Sequence, residues 1–124
     1  MNKELIISAL VMLGLDATYI SLIKDSYMKQ IQNIQTTKPN VDMVAVVICY
    51  IFMIFGVNYF IIQKNASLLD AFLFGIVIYG VYDATSYALF SKWSAKLAII
   101  DTIWGGILMM TTAYLTYKDR KSVV

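Results

Sequence analysis

The sequence predicts an all-α protein, a four-helix transmembrane bundle with a short interfacial helix between helices one and two. Three observations carry this. The chain is 60% hydrophobic and only 15% charged, against about 25% charged residues in soluble domains, and a domain of 124 residues has too much surface per volume to cover with so little charge. Its apolar residues gather into blocks near the roughly 20 residues a helix needs to cross a bilayer. No alternating ten-residue strands of the kind a closed barrel requires are present, so the backbone of these blocks can satisfy itself only as helix.

The first block, about Leu5–Ile23, follows Lys3 and has the outline of a signal peptide. Asp16 interrupts it and no small-x-small cleavage site follows, so it is read as a retained span. The next segment, "KDSYMKQIQNIQTTKPNVD", is polar but carries Tyr27, Ile31 and Ile34 on one helical stripe ended by Pro39. It is expected to be helical, lying in the interface or extending the first span. Spans two, three and four follow at about Met43–Gln63, Leu68–Phe90 and Leu97–Tyr117, joined by the short links "KNAS" and "SKWSA". Short links make sequence neighbours antiparallel and adjacent, which gives one integral membrane domain over residues 1–124.

Composition also excludes classes of function. A net charge of +2 without a basic patch argues against nucleic-acid binding. Histidine is absent, which removes His-ligated metals and His-dependent nucleophilic chemistry. One cysteine, Cys49, cannot form an internal disulfide. No metal or cofactor is expected. Lys and Arg divide five and five between the two sides, and the cluster of Lys118, Arg120 and Lys121 after span four places both termini in the cytoplasm.

Three carboxylates inside the spans carry the functional argument: Asp16 in "LGLDATYISL", Asp83 in "GVYDATSYALF" and Asp101 in "AIIDTIWGG". Spans one and three run opposite to span four. Asp16 and Asp83 therefore lie about 10 Å inside the end where Asp101 lies about 6 Å inside, on one side of the membrane and at nearly one depth. A carboxylate facing lipid costs about 2.5–3.5 kcal/mol or more at the bilayer centre, so each is expected to point into the bundle. Tyr79, Gly80, Ser86 and Tyr87 share the face of Asp83, Trp104 and Gly105 that of Asp101, and Tyr19 follows Asp16 by one turn. Phenol, indole and hydroxyl donors can hold a carboxylate there, and two dry carboxyls close together share a proton more readily than they both ionise. The plain alternative is interhelical glue, worth about 0.6–2 kcal/mol per bond. Ser8, Asn58, Thr111, Thr112 and Thr116 lie toward the opposite side, where they could continue a polar track across the membrane, although isolated small polar residues usually bond their own backbone. The glycines, all within spans, read as points of helix contact.

The motifs "LDATYI", "YGVYDATSYALFSKW" and "IIDTIWGG" resemble the small bacterial and viral membrane proteins grouped as domain of unknown function family 2177. That pattern has an Asp followed three residues later by an aromatic in the first span, Tyr-x-x-x-Asp-x-Thr-Asn with a Trp just beyond in the third, and Asp-x-x-Trp-Gly in the fourth. Asp16 with Tyr19, then Tyr79, Asp83, Thr85 and Trp93, and Asp101 with Trp104 and Gly105 correspond; Tyr50, Gly56 and Phe60 fit the second span more loosely. Ser86 stands in place of Asn, and Tyr19 where Trp is frequent. The resemblance implies a four-span protein with three signature aspartates and no assigned activity.

The expected function is transport or permeation linked to a proton or a monovalent cation bound by Asp16, Asp83 and Asp101, in a homo-oligomer surrounded by lipid. The alternatives are a membrane subunit or enzyme of lipid modification, with carboxylates acting as acid and base or holding Mg²⁺, and a structural scaffold of a cellular or viral membrane. The absence of any recognisable nucleophile or phosphate motif weighs against an enzyme.

Overall fold

A computed structural model describes residues 3–35, 43–90 and 93–122. Helix α1 spans Lys3–Gln35, α2 Met43–Gly56, α3 Leu68–Leu89 and α4 Ala95–Ser122, and α2 runs on through a π-helical segment, Val57–Ile62. Stretches of these helices, Lys3–Ser26, Met43–Ile62, Leu68–Leu89 and Ala95–Asp119, are long and apolar enough to cross a membrane. The polar segment after the first span is helical through Gln35, without a break from α1. Ile31 on its expected stripe is partly buried. The side chains of Tyr27, Ile34, Arg120 and Lys121, together with Pro39, lie outside the described residues.

Local chemistry sets the helix ends. Ser67 caps α3 by accepting the Asp70 N–H at 3.0 Å, and Asp70 places a carboxylate in the first turn, where the helix dipole favours it. At α4 the Ser94 hydroxyl accepts the Leu97 N–H at 3.2 Å. Between α2 and α3 the chain reverses through Asn65 at φ 52°, a left-handed conformation that Asn tolerates better than most residues. The π segment ends where Gln63 N–H donates to Asn58 O at 2.8 Å, five residues back. Tyr117 closes this corner, its hydroxyl proton shared between the carbonyls of Ile61 at 3.0 Å and Ala66 at 2.9 Å.

Helices α3 and α4 form the closest pair in the bundle. Their backbones meet at glycine: a Cβ on Gly75 would run into the Gly105 carbonyl and stand 2.8 Å from the Gly106 Cα. Small residues at such a crossing let dispersion forces act over the whole length of both helices, the main attraction available where lipid is as apolar as leucine. α1 packs on the other side of α4, and α2 with its π segment completes the bundle.

The interior divides by chemistry along the membrane normal. Toward the termini lies an apolar core that includes Met12, Met53, Val57, Ile62, Leu108 and Met109. Within it sit buried polar groups bonded locally or to each other: the Asn58 amide donates to Ser8 Oγ at 2.7 Å and to the Ile54 carbonyl at 2.8 Å, and the Thr116 hydroxyl to the Thr112 carbonyl at 2.7 Å. Toward the α3–α4 link the buried residues are instead Asp16, Asp83, Ser86, Trp93 and Asp101.

Candidate functional site

The three aspartates come from three helices and are all buried, at 6%, 2% and 8% exposure for Asp16, Asp83 and Asp101. Burying a carboxyl is tolerable only with hydrogen-bond donors around it, so the supply of donors decides what each group can do.

Asp16 is fully supplied. Its Oδ1 accepts the Trp104 indole N–H at 3.1 Å, and its Oδ2 accepts the Tyr50 hydroxyl. Asp101 accepts the Tyr19 hydroxyl at 3.0 Å. The sequence places Tyr19 one turn from Asp16 and Trp104 one turn from Asp101, and the structure exchanges them: each aromatic serves the carboxylate of the opposite helix. The exchange follows from geometry. α1 and α4 are antiparallel, so Asp16 stands level with Trp104 and Tyr19 with Asp101, and a long side chain reaches the facing helix more readily than its own backbone neighbour. The two rings stack between the acids with centroids 4.6 Å apart and planes 4° from parallel.

Asp83 is differently placed. It faces the carboxyl of Asp101, and the Trp93 indole stands beside it. Its Oδ2 lies 3.3 Å from Thr102 Oγ1, but that hydroxyl has one proton and a shorter bond, 2.9 Å, to the Ala98 carbonyl. Its Oδ1 is buried with no hydrogen-bond partner. The hydroxyls of its own helix do not supply it: among the described residues no bond reaches Asp83 from Tyr79, Ser86 or Tyr87. Tyr79 packs against Gly105 and stands near Asp16 and Asp101, Ser86 is buried at 7% exposure, and Tyr87 is turned outward at 55%. Gly80 lies on the α3–α4 contact, where a Cβ would meet Thr102 Cγ2 at an ordinary 3.5 Å.

No Lys or Arg among the described residues forms an ion pair with any of the three acids; Lys3 pairs with Asp119, at 3.3 Å, at the far end. Nor do three acidic or thiol groups among the described residues converge on a metal position. The centre is therefore two carboxyls face to face, Asp83 and Asp101, with a third, Asp16, held apart by an aromatic stack. Sequence reasoning missed Thr102 and missed Tyr50 as a donor. It also missed Gln30, a buried residue beyond the first span, whose Oε1 accepts the Ser94 N–H and so ties α1 to the start of α4. Thr102 lies one residue from Asp101, and only the packing of α4 against α3 brings it to Asp83.

Four apolar helices around a buried acidic centre define a polytopic integral membrane protein of the helical-bundle class. The family model described as "Predicted membrane protein (DUF2177)" matches residues 1–118, and the chain belongs to that family. No curated protein and no solved structure matches it.

Proposed function

We propose that this protein carries protons, or a solute coupled to them, across the membrane, with Asp83 and Asp101 as the exchange site. The observation behind this reading is the pairing of two buried carboxyls, without a basic partner among the described residues and with Asp83 Oδ1 unsatisfied. Two such groups hold one proton between them more easily than two negative charges, and a proton held by a pair with no fixed countercharge can leave and return. Asp16 supports the site by fixing α1 and α2 against α4 through Trp104 and Tyr50.

Met12, Leu108 and Met109, all at 0% exposure, fill the bundle between the acids and the end bearing the termini. Transport requires this barrier to open, and an assembly of two or more copies offers a surface against which helices can shift; the exposed apolar face of α2, including Val47, Ile51, Phe52 and Phe55, suits such a contact.

Reconstitution into liposomes with an internal pH-sensitive dye tests the reading. A pH gradient should collapse faster with the protein than in empty vesicles, and Asp83→Asn should return the rate to that of empty vesicles while expression and assembly persist. Equal rates for wild-type and empty vesicles, across donor solutes and potentials, would remove the transport reading. A structural role is favoured for Asp16 alone, since both of its oxygens are already engaged.

A further inference from the structure

A cleft of about 330 Å³ opens between α3 and α4, on the outer side of the carboxyl pair. Gly80, Asp83 and Ala84 line it from α3, and Ala98, Thr102 and Ile103 from α4. Its volume falls at the lower end of the range of about 300–1,000 Å³ typical of small-molecule sites. Ala84, Ile99 and Ile103 around it are exposed on the lipid-facing surface, so a molecule dissolved in the membrane can enter sideways without passing through water.

The lining is apolar apart from Asp83, Thr102 and Tyr87, the last of them 55% exposed. Asp83 is 2% exposed, its Oδ1 has no partner, the Thr102 hydroxyl at its Oδ2 already bonds a carbonyl, and the Trp93 indole stands beside it. Among the described residues, the other titratable groups facing this point are Tyr87 on α3, Asp101 on α4 and, behind it, Tyr19 and Asp16 on α1, with Tyr50 of α2 on the far side of Asp16; none of them brings a positive charge. A cleft with largely apolar walls, a buried acid and, among the described residues, no countercharge is complementary to one kind of occupant: an apolar body ending in a cation that also donates a hydrogen bond.

We propose that the α3–α4 cleft binds lipophilic amines in their ammonium form, the N–H donating to Asp83 while the alkyl body lies along Gly80, Ala84, Ala98 and Ile103. This rests on the proton-exchange reading and gives it a substrate class: the ammonium takes the place of the proton shared by Asp83 and Asp101, so binding one cation releases one proton from the pair. No bond is made or broken except that O–H, and charge in the site is conserved.

The test uses the full chain in lipid nanodiscs, with decylammonium as the probe and empty nanodiscs as the partition control. Saturable quenching of the Trp93 and Trp104 fluorescence and release of about one proton per protein in weakly buffered solution are expected. Asp83→Asn should weaken binding at least about tenfold, the loss of one charge-assisted hydrogen bond. It should also abolish proton release. Ala84→Leu, which fills the lipid-facing cleft at an exposed position and leaves the acid in place, should weaken binding similarly. Decyltrimethylammonium, which has the charge but no N–H, should bind more weakly than decylammonium, and decanol, which has the donor but no charge, should release no proton. Decylammonium binding that is not saturable, or is unchanged in both variants, overturns the proposal. Failure of amine binding in a protein that still collapses a pH gradient removes this inference alone; amine binding with proton release in a protein that moves no protons keeps it and removes the transport reading.

Discussion

The same residue type is treated in opposite ways on the two sides of α4. On the α1 side, Asp16 receives the Trp104 indole and the Tyr50 phenol, Asp101 receives the Tyr19 phenol, and of these three donors Trp104 and Tyr19 stack with ring centroids 4.6 Å apart. On the α3 side, Asp83 has a shared hydroxyl at 3.3 Å, the Trp93 indole beside it, a neighbouring carboxyl and one oxygen, Oδ1, with no hydrogen-bond partner. The difference separates two uses of a carboxylate in a membrane. A saturated acid holds helices together and gains nothing by changing its protonation, whereas an undersupplied one beside a second acid has its best partner in a mobile proton or cation.

The comparison can be broken most severely by forcing α3 away from α4. Gly75→Leu sets a side chain against the Gly105 backbone, which cannot move aside as a side-chain tip can. It should destabilise the bundle by more than the roughly 1–3 kcal/mol of ordinary overpacking. Loss of the monodisperse peak in mild detergent would show this, and a variant with wild-type unfolding behaviour would mean that the glycine contact does not set the α3–α4 spacing.

A smaller effect is expected on the saturated side. Asp16→Asn replaces an acceptor oxygen by an NH₂ group and leaves either Tyr50 or Trp104 facing a donor. That should lower stability by about 1–3 kcal/mol, the cost of a buried unpaired polar group. Unfolding titrations in mixed micelles measure the loss, and proton flux per folded protein should stay within a few-fold of wild type. Abolished flux in a fully stable Asp16→Asn protein would erase the distinction between the two sides.

The smallest effect sharpens the exchange of aromatic partners. Tyr19→Phe removes the donor to Asp101 and keeps the ring, and Trp104→Phe removes the donor to Asp16 and alters the stack. Because the rings touch, the double variant should depart from the sum of the singles by at least about 0.5 kcal/mol, as groups in contact usually do. Additive losses would show two independent bonds.

Much of this architecture was legible in the sequence because hydropathy is a local property. The blocks beginning at Leu5, Met43, Leu68 and Leu97 fall on the observed helices, and chain direction alone puts Asp16, Asp83 and Asp101 toward one end. What escaped depends on rotation and register between helices. The spacing of Asp101 and Trp104 shows a shared face, but only the meeting of α1 and α4 decides that Trp104 serves Asp16. Thr102 reads as an ordinary mid-helix threonine until Asp83 is placed across from it. The π turn over Val57–Ile62 has no local signature, since the same apolar letters suit an α-helix, and the extra residue is accommodated by the corner that Tyr117 closes.

The central claim, that Asp83 and Asp101 hold one exchangeable proton between them, is tested most directly by infrared difference spectroscopy on the protein in lipid. The spectrum near neutral pH should contain the C=O stretch of a protonated carboxylic acid, shifting on transfer to deuterated water, and this band should be missing from both Asp83→Asn and Asp101→Asn but present in Asp16→Asn. A wild-type spectrum with no such band, or a band that survives the loss of Asp83, would contradict the account.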